Sequence, residues 1–166
     1  MNPSHLHLLF NHFPIIGSIL GFLVLAAGFF LKNQHVKNVA FGLFIFTAVV
    51  SLPAYFSGEG AEDKIEKLAG VEESYIEEHE EAALWGIIAV ELLGIAGIIA
   101  LFFSVKNKPF AHQAALATLA LALFTMAVMY RVGNTGGEIR HPEIRKGATL
   151  PQSPGSDNAE GGHDEH

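Results

Sequence analysis

The stretch that decides the fold is Ala82–Val105, which reads AALWGIIAVELLGIAGIIALFFSV. It contains one ionisable side chain, Glu91, and is otherwise apolar on every helical face. At 1.5 Å per residue a helix over this stretch is about 36 Å long, which exceeds the ~30 Å hydrocarbon core of a bilayer. The stretch therefore predicts a transmembrane helix.

Three more apolar runs accompany this stretch: Phe13–Leu31, Val39–Phe56 and about Phe110–Tyr130. Half of the 166 residues are hydrophobic and only 16% are charged, whereas soluble domains carry about a quarter charged residues. The pattern predicts an all-α fold, a four-helix transmembrane bundle in contact with membrane lipid. We expect one membrane domain at 1–146 and a disordered acidic tail at 147–166, where Gly, Pro, Ser and acids replace the apolar runs.

Local signals refine this outline. In 61–81, apolar residues recur every three or four positions among acids, which predicts a short amphipathic helix on the outer face. Pro53 predicts a kink or an early stop in the second span. The run Asn134-Thr135-Gly136-Gly137 predicts a turn after the fourth span.

Basic residues predict the orientation. The short connections 32–38 and 106–108 contain four lysines and no acid, so the positive-inside rule places them in the cytoplasm. Both termini and the loop 57–81 then face the periplasm if the source is a Gram-negative bacterium. We expect a multi-pass protein of the bacterial inner membrane.

The loop 59–81 is strongly acidic. It holds ten Asp or Glu against Lys64 and Lys67, so its formal charge is −8. One interpretation is a solvated face. The other is a docking surface for a basic periplasmic cytochrome c or for a partner subunit in a respiratory or redox complex.

Histidines supply the main chemical signal. Five of the nine, His5, His7, His12, His79 and His141, are predicted at the outer level; His35 and His112 fall on the cytoplasmic side, and His163 and His166 in the tail. Neutral imidazole is a common ligand for haem iron, zinc and copper.

The chain has no cysteine, which excludes c-type haem attachment and thiolate-bound clusters. Amphipathic rings are also common at membrane interfaces without binding anything.

These histidines suggest a b-type haem. We expect His12 and His79 as the axial pair because they begin two separate helices, with His7 and His141 in reserve. Arg131 and Arg140 would pair with the propionates, since guanidinium matches carboxylate geometry. The alternative is a non-redox accessory or assembly subunit that binds zinc or copper, with His12 and His79 as the ligands.

Glu91 is the second chemical signal. A carboxyl group about 14 Å below the outer end of its helix is costly unless it is paired, so it should face the bundle interior. Its candidate partners on other spans are Thr47, Ser51, Thr118 and Thr125. It either relays protons, as in a small proton- or metal-conducting protein, or is a protonated acid that fixes helix packing.

The segment His7-Leu8-Leu9-Phe10-Asn11-His12-Phe13-Pro14-Ile15 resembles the His-x4-His-Phe-Pro-Ile opening of the DUF2231 family of small four-span bacterial membrane proteins. His79 and the run Gly136-Gly137 followed by His141 match further family positions. The family usually has Pro where Leu8 stands and an aromatic before its last His, where this chain has Arg140. The resemblance covers residues 7 to about 141 and implies a four-helix membrane domain that binds b-type haem or a metal.

Other classes of function lack sequence support. The chain has no nucleophile–base pair, phosphate loop or dinucleotide fingerprint, so enzymatic turnover is the least supported activity. Its net charge of −7 and lack of a basic patch argue against nucleic-acid binding. The leading prediction is a membrane-embedded b-type cytochrome-like subunit that transfers electrons at the periplasmic face.

Overall fold

The computed structural model describes residues 3–58 and 72–145. These residues form five α-helices and no strand: α1 (Pro3–Phe10), α2 (Phe13–Phe30), α3 (Gln34–Phe56), α4 (Glu73–Val105) and α5 (Ala111–Arg140), followed by a short 3₁₀ helix, Pro142–Ile144. Four helical segments are long and apolar enough to cross a membrane: His5–Phe30, Gln34–Phe56, Glu73–Val105 and Ala111–Arg140. The predicted all-α, four-span fold is confirmed.

The four long helices form a closed antiparallel bundle. Helix α3 packs on α2 and α4, and α5 closes the ring by packing on α4 and α2, while α1 lies on α3. The core contains Leu25, Phe41, Phe44 and Leu93, which are almost completely buried. At the end with the lysine-containing turns, Ser104 of α4 donates to Asn38 of α3 at 2.6 Å. This polar contact fixes the register of the two helices.

Glycines on α2 allow it to approach α3 closely. A Cβ atom added at Gly17, Gly21 or Gly28 would collide with the α3 side chains of Thr47, Phe44 and Lys37, respectively. The three glycines lie on one face of α2 because they are spaced by four and seven residues. Small residues at such contacts increase dispersion attraction, which drives helix association where lipid removes the hydrophobic effect.

Helices α4 and α5 extend further than the sequence predicts. Helix α4 begins at Glu73, nine residues before the apolar stretch, so residues 73–81 of the predicted separate outer-face helix continue directly into the span. Helix α5 ends at Arg140 and includes residues 134–137, so the predicted turn there is wrong. The two extensions bury Ile76 and Ile139, and this burial outweighs the weak helix propensity of Gly136 and Gly137.

Other boundaries lie close to their predicted positions. Helix α3 continues three residues past Pro53 and ends at Phe56, the predicted end of the span. The segment before the first span forms the short helix α1. Residues 59–71 and the predicted disordered tail at 147–166 lie outside the described residues, and the domain boundary at 146 stays a prediction.

The packing of α4 on α3 predicts a contrast between two glycine substitutions. A Cβ atom at Gly94 would lie 2.5 Å from the Cβ of Ala48, whereas one at Gly42 would have no neighbour within 4 Å. We expect Gly94→Val to reduce stability in detergent by about 1–3 kcal/mol through overpacking. Gly42→Ala should leave it unchanged or raise it slightly. Thermal unfolding followed by circular dichroism measures both, and equal midpoints would contradict close α3–α4 packing.

Candidate functional site at the histidine face

The candidate site lies at one end of the bundle, which we call the histidine face. It consists of α1, the end of α3, the start of α4 and the end of α5 with the 3₁₀ helix. His5, His7, His12, His79 and His141 belong to this end, because α1, α4 and α5 meet there. His35 and His112 begin α3 and α5 at the opposite end, so the predicted separation of the histidines into two levels is confirmed.

His79 is held between α4 and α5. Its Nδ1 lies 3.0 Å from Oγ1 of Thr135. The Thr135 hydroxyl also lies 3.1 and 3.2 Å from the carbonyl oxygens of Arg131 and Val132, and it has one proton to donate to them. With that proton on a carbonyl, Nδ1–H of His79 donates to the threonine oxygen and Nε2 carries the lone pair of the neutral imidazole.

Gly136 makes room for the His79 ring. A Cβ atom at this position would lie 3.0 Å from Cε1 of His79. Any larger residue would push the imidazole away from α5 and from Thr135. Gly136 therefore allows the His79 ring to pack on α5, Gly137 leaves room for Ile144, and the pair does not form the turn that its composition suggests.

His7 is the second imidazole with a fixed tautomer. Its Nδ1 lies 2.9 Å from the carbonyl oxygen of Ala54 on α3, and a carbonyl only accepts, so Nδ1 carries the proton and Nε2 the lone pair. His7 and His79 are thus two partly buried histidines, on α1 and α4, at the same end of the bundle, and the Nδ1 atom of each lies close to an oxygen atom.

His12 and His141 have different surroundings. The exposed His12 ring hydrogen-bonds the side chain of its neighbour Asn11. The exposed His141 ring lies 2.9 Å from the carboxylate of Glu143. The backbone N–H of Glu143 and the His141 ring both hydrogen-bond this carboxylate and hold the pKa of Glu143 below its usual range. Both rings are therefore bonded to near neighbours in the sequence, and the structure favours His7 over His12 as the companion of His79.

Two clefts open between α4 and α5 near the histidine face. The outer cleft, which we call the polar cleft after its side chains, has a volume of about 490 Å³. It is lined by Tyr75, Glu78, Tyr130, Arg131, Asn134, Thr135 and Glu138. The second is an apolar groove of about 430 Å³, lined by Ala82, Trp85, Ile88, Ala89, Leu92, Leu121, Phe124, Ala127, Val128 and Arg131. Arg131 is common to both, and no histidine lines either one.

The predicted propionate partners are both exposed. Arg131 forms an ion pair with Glu78 of α4 across 3.7 Å, so this arginine bridges the two helix extensions. Arg140 is the last residue of α5 and has an exposed side chain.

Within 3–58 and 72–145, no three His, Asp or Glu side chains converge on a point that would suit a metal ion.

Arg145 is a residue at this face that the sequence analysis missed. Its side chain is only 10% exposed and pairs with Glu72 at 3.0 Å. Its guanidinium lies 4.0 Å above the Tyr75 ring, and its Nε donates to the backbone oxygen of Glu138 at 2.9 Å. It therefore fastens the end of the described chain to α4. No local motif signals this role, because Glu72 and Arg145 are 73 positions apart.

Glu91 finds a partner on α3. The Ser51 Oγ atom lies 3.1 Å from Oε1 of Glu91, so one of the four predicted partners is confirmed. The hydroxyls of Thr47, Thr118 and Thr125 instead donate to backbone carbonyls. Glu91 itself is partly buried, and its face is shared with the exposed Ile88 and Ile95. It therefore lies at the edge of the α3–α4 contact and not at the bundle centre.

The anchoring role of Arg145 leads to a prediction about local stability. Arg145→Met should remove the ion pair and the charge-assisted hydrogen bond, so amide exchange in 138–145 should accelerate by about tenfold. Arg140→Met removes the same charge from an exposed position and should leave exchange there unchanged. Hydrogen–deuterium exchange with mass spectrometry measures both, and equal rates in the two variants would contradict the anchor.

Comparison with known proteins agrees with this architecture. No curated protein and no solved structure matches the chain. One family model matches residues 3–142, which cover all five helices; its description is "Predicted membrane protein (DUF2231)". The chain is a membrane-embedded protein that belongs to the DUF2231 family.

Proposed function

We propose that this protein is a membrane-embedded b-type cytochrome-like subunit that transfers electrons at the histidine face, with His7 and His79 as the haem ligands. One observation carries the proposal: two partly buried imidazoles lie on different helices at the same end of the bundle, and the Nδ1 atom of each lies within 3.0 Å of an oxygen atom. When Nδ1–H donates to that oxygen, the ring is held in place and the lone pair of Nε2 is left for a metal.

The donor set suits a haem iron. Two neutral imidazoles and no thiolate are the ligands of a b-type centre, and the bound haem would supply one-electron exchange between ferric and ferrous iron. His7 and His79 would hold the iron, and Arg131 and Arg140 would pair with the propionates. No histidine lines either cleft, so a haem on His7 and His79 would lie outside both.

The proposal includes an orientation and a partner. The lysine-containing turns would face the cytoplasm, so the histidine face would meet the periplasm of a bacterial inner membrane. Of the acidic loop 59–81, the structure describes residues 72–81, which contain six glutamates. Glu72 and Glu78 are paired with arginines. The other four would present negative charge to a basic cytochrome c or to a partner subunit of a redox complex.

Absorption spectroscopy tests the haem. The purified, haem-supplemented protein should show Soret and α bands after dithionite reduction. His7→Ala and His79→Ala should each lower the haem content several-fold because one axial ligand is lost. His141→Ala and His112→Ala should keep it. The absence of bands from the unaltered protein, or equal loss in all four variants, would overturn the proposal.

Metal analysis of the same sample tests the alternative that the protein is a non-redox accessory subunit that binds zinc or copper. Zinc or copper at one ion per chain, lost in His7→Ala and His79→Ala and accompanied by no haem bands, would assign the pair to a non-redox accessory or assembly subunit. That result would reject the electron-transfer function but would support a metal site at His7 and His79. A sample free of both haem and metal would reject the pair as a cofactor site.

A second candidate function is ion conduction through Glu91, which the hydrogen bond to Ser51 favours. Ser51 also donates to the carbonyl oxygen of Ala48 at 2.7 Å. A protonated Glu91 could therefore donate to Ser51 Oγ, and a deprotonated one could accept from it. A carboxyl group that can exchange its hydrogen-bond role within the membrane is a candidate proton carrier.

Proton flux into liposomes tests this candidate. Glu91→Gln keeps the size and hydrogen-bonding capacity of the side chain but cannot titrate, so flux should fall to the background of protein-free liposomes. Glu81→Gln, an exposed position outside the apolar stretch, serves as the matched control and should conduct like the unaltered protein. Unchanged flux in Glu91→Gln would leave Glu91 with a packing role alone.

A further inference from the structure

The polar cleft and the apolar groove between α4 and α5 adjoin at Arg131, which lines both of them. A ligand that fits both must carry a charged group at one end and an apolar chain at the other. The exposed rings of Trp85 and Phe124, 58% and 61% accessible, leave the groove open towards lipid.

The length of the groove matches one leaflet of a bilayer. Its lining extends from Ala82 to Leu92 on α4 and from Arg131 back to Leu121 on α5. Ten residue steps of 1.5 Å give about 15 Å on each helix. This length is half of the ~30 Å hydrocarbon core, which is the depth that the acyl chain of one phospholipid reaches.

The polar cleft contains charges of both signs. Arg131 and Glu78 lie 3.7 Å apart, beyond hydrogen-bond distance, and their side chains are 58% and 50% exposed. Glu138 also lines the cleft and accepts a hydrogen bond from Asn134 at 2.7 Å. The tyrosine rings of Tyr75 and Tyr130 complete the lining. The cleft therefore offers a guanidinium to an anion, and two carboxylates and the Tyr130 ring to a cation.

We propose that this site binds a phospholipid with a phosphoethanolamine headgroup. The phosphate would contact Arg131, the primary ammonium would contact Glu78 or Glu138, and an acyl chain would fill the groove. With Arg131 in this role, pairing with a haem propionate would be left to Arg140; the lipid site does not depend on haem binding.

The net charge of the polar cleft distinguishes among the common phospholipid headgroups. The three charged residues of the cleft sum to −1, so a purely anionic headgroup such as phosphatidylglycerol meets net repulsion. A phosphocholine group has the same net charge as phosphoethanolamine, but its quaternary ammonium has no N–H to donate to the carboxylates. Phosphatidylethanolamine satisfies both carboxylate and guanidinium.

Native mass spectrometry of the full chain tests the proposal. Delipidated protein in detergent is titrated with phosphatidylethanolamine, phosphatidylcholine and phosphatidylglycerol of identical acyl chains. The expected order of affinity is ethanolamine over choline over glycerol. Free O-phosphoethanolamine should not compete at equal concentration, because it lacks the chain that fills the groove. Equal affinities, preference for phosphatidylglycerol, or full competition by the free headgroup would each overturn the proposal.

Variants locate the site. Arg131→Gln should weaken phosphatidylethanolamine binding by about tenfold, the usual effect of losing a charge-assisted hydrogen bond. Glu78→Gln should reduce the preference for ethanolamine over choline. Arg140→Gln removes the same charge from the same helix but lines neither cleft, so its binding should equal that of the unaltered protein. Equal loss in Arg131→Gln and Arg140→Gln would indicate general surface charge instead of this site.

Discussion

Close contact between helix backbones is the constraint on which the bundle depends. Lipid chains are as apolar as the side chains of the spans, so burial of leucine against leucine contributes little to helix association within a membrane. Dispersion attraction at short range replaces it. Helix α3 is approached from one side by Gly17 and Gly21 of α2 and from the other by Gly94 and Gly97 of α4. This arrangement brings α3 into close contact with both α2 and α4.

The chemistry of the protein is positioned by the parts of α4 and α5 that extend beyond the apolar stretch. These extensions bury Ile76 and Ile139, and they bring His79 onto Thr135 and Gly136. Helix α1 adds His7 by bonding to the end of α3. The positions of the proposed haem ligands therefore depend on packing among α1, α3, α4 and α5. The apolar spans decide only at which end of the bundle these ligands lie.

The same two helices also form the groove that we propose for a lipid. His79 packs against Thr135 and Gly136, whereas the groove lined by Trp85, Phe124 and Arg131 opens between α4 and α5. A bound phospholipid would link the two extensions through Glu78 and Arg131 without entering the bundle. Helix α4, which carries His79, would thus contribute to both proposed sites.

The sequence by itself determined the features that depend on composition and length. Four apolar runs had to become helices, because backbone polar groups in lipid must be bonded within their own segment. The antiparallel order of the spans separated His79 from His112. The glycine spacing of α2 marked its contact face, and Glu91 required a polar partner, which Ser51 provides.

Only the tertiary structure decided the contacts between residues far apart in the chain. The Gly-Gly pair became helical because α4 packs beside it, although its local chemistry favours a turn. The His7 ring is held by the carbonyl of Ala54 on another helix, whereas the His12 ring bonds its chain neighbour Asn11. Arg145 became an anchor because Glu72 and Tyr75 surround it. Local propensity has no information about such neighbours, since they are set by how the completed helices pack.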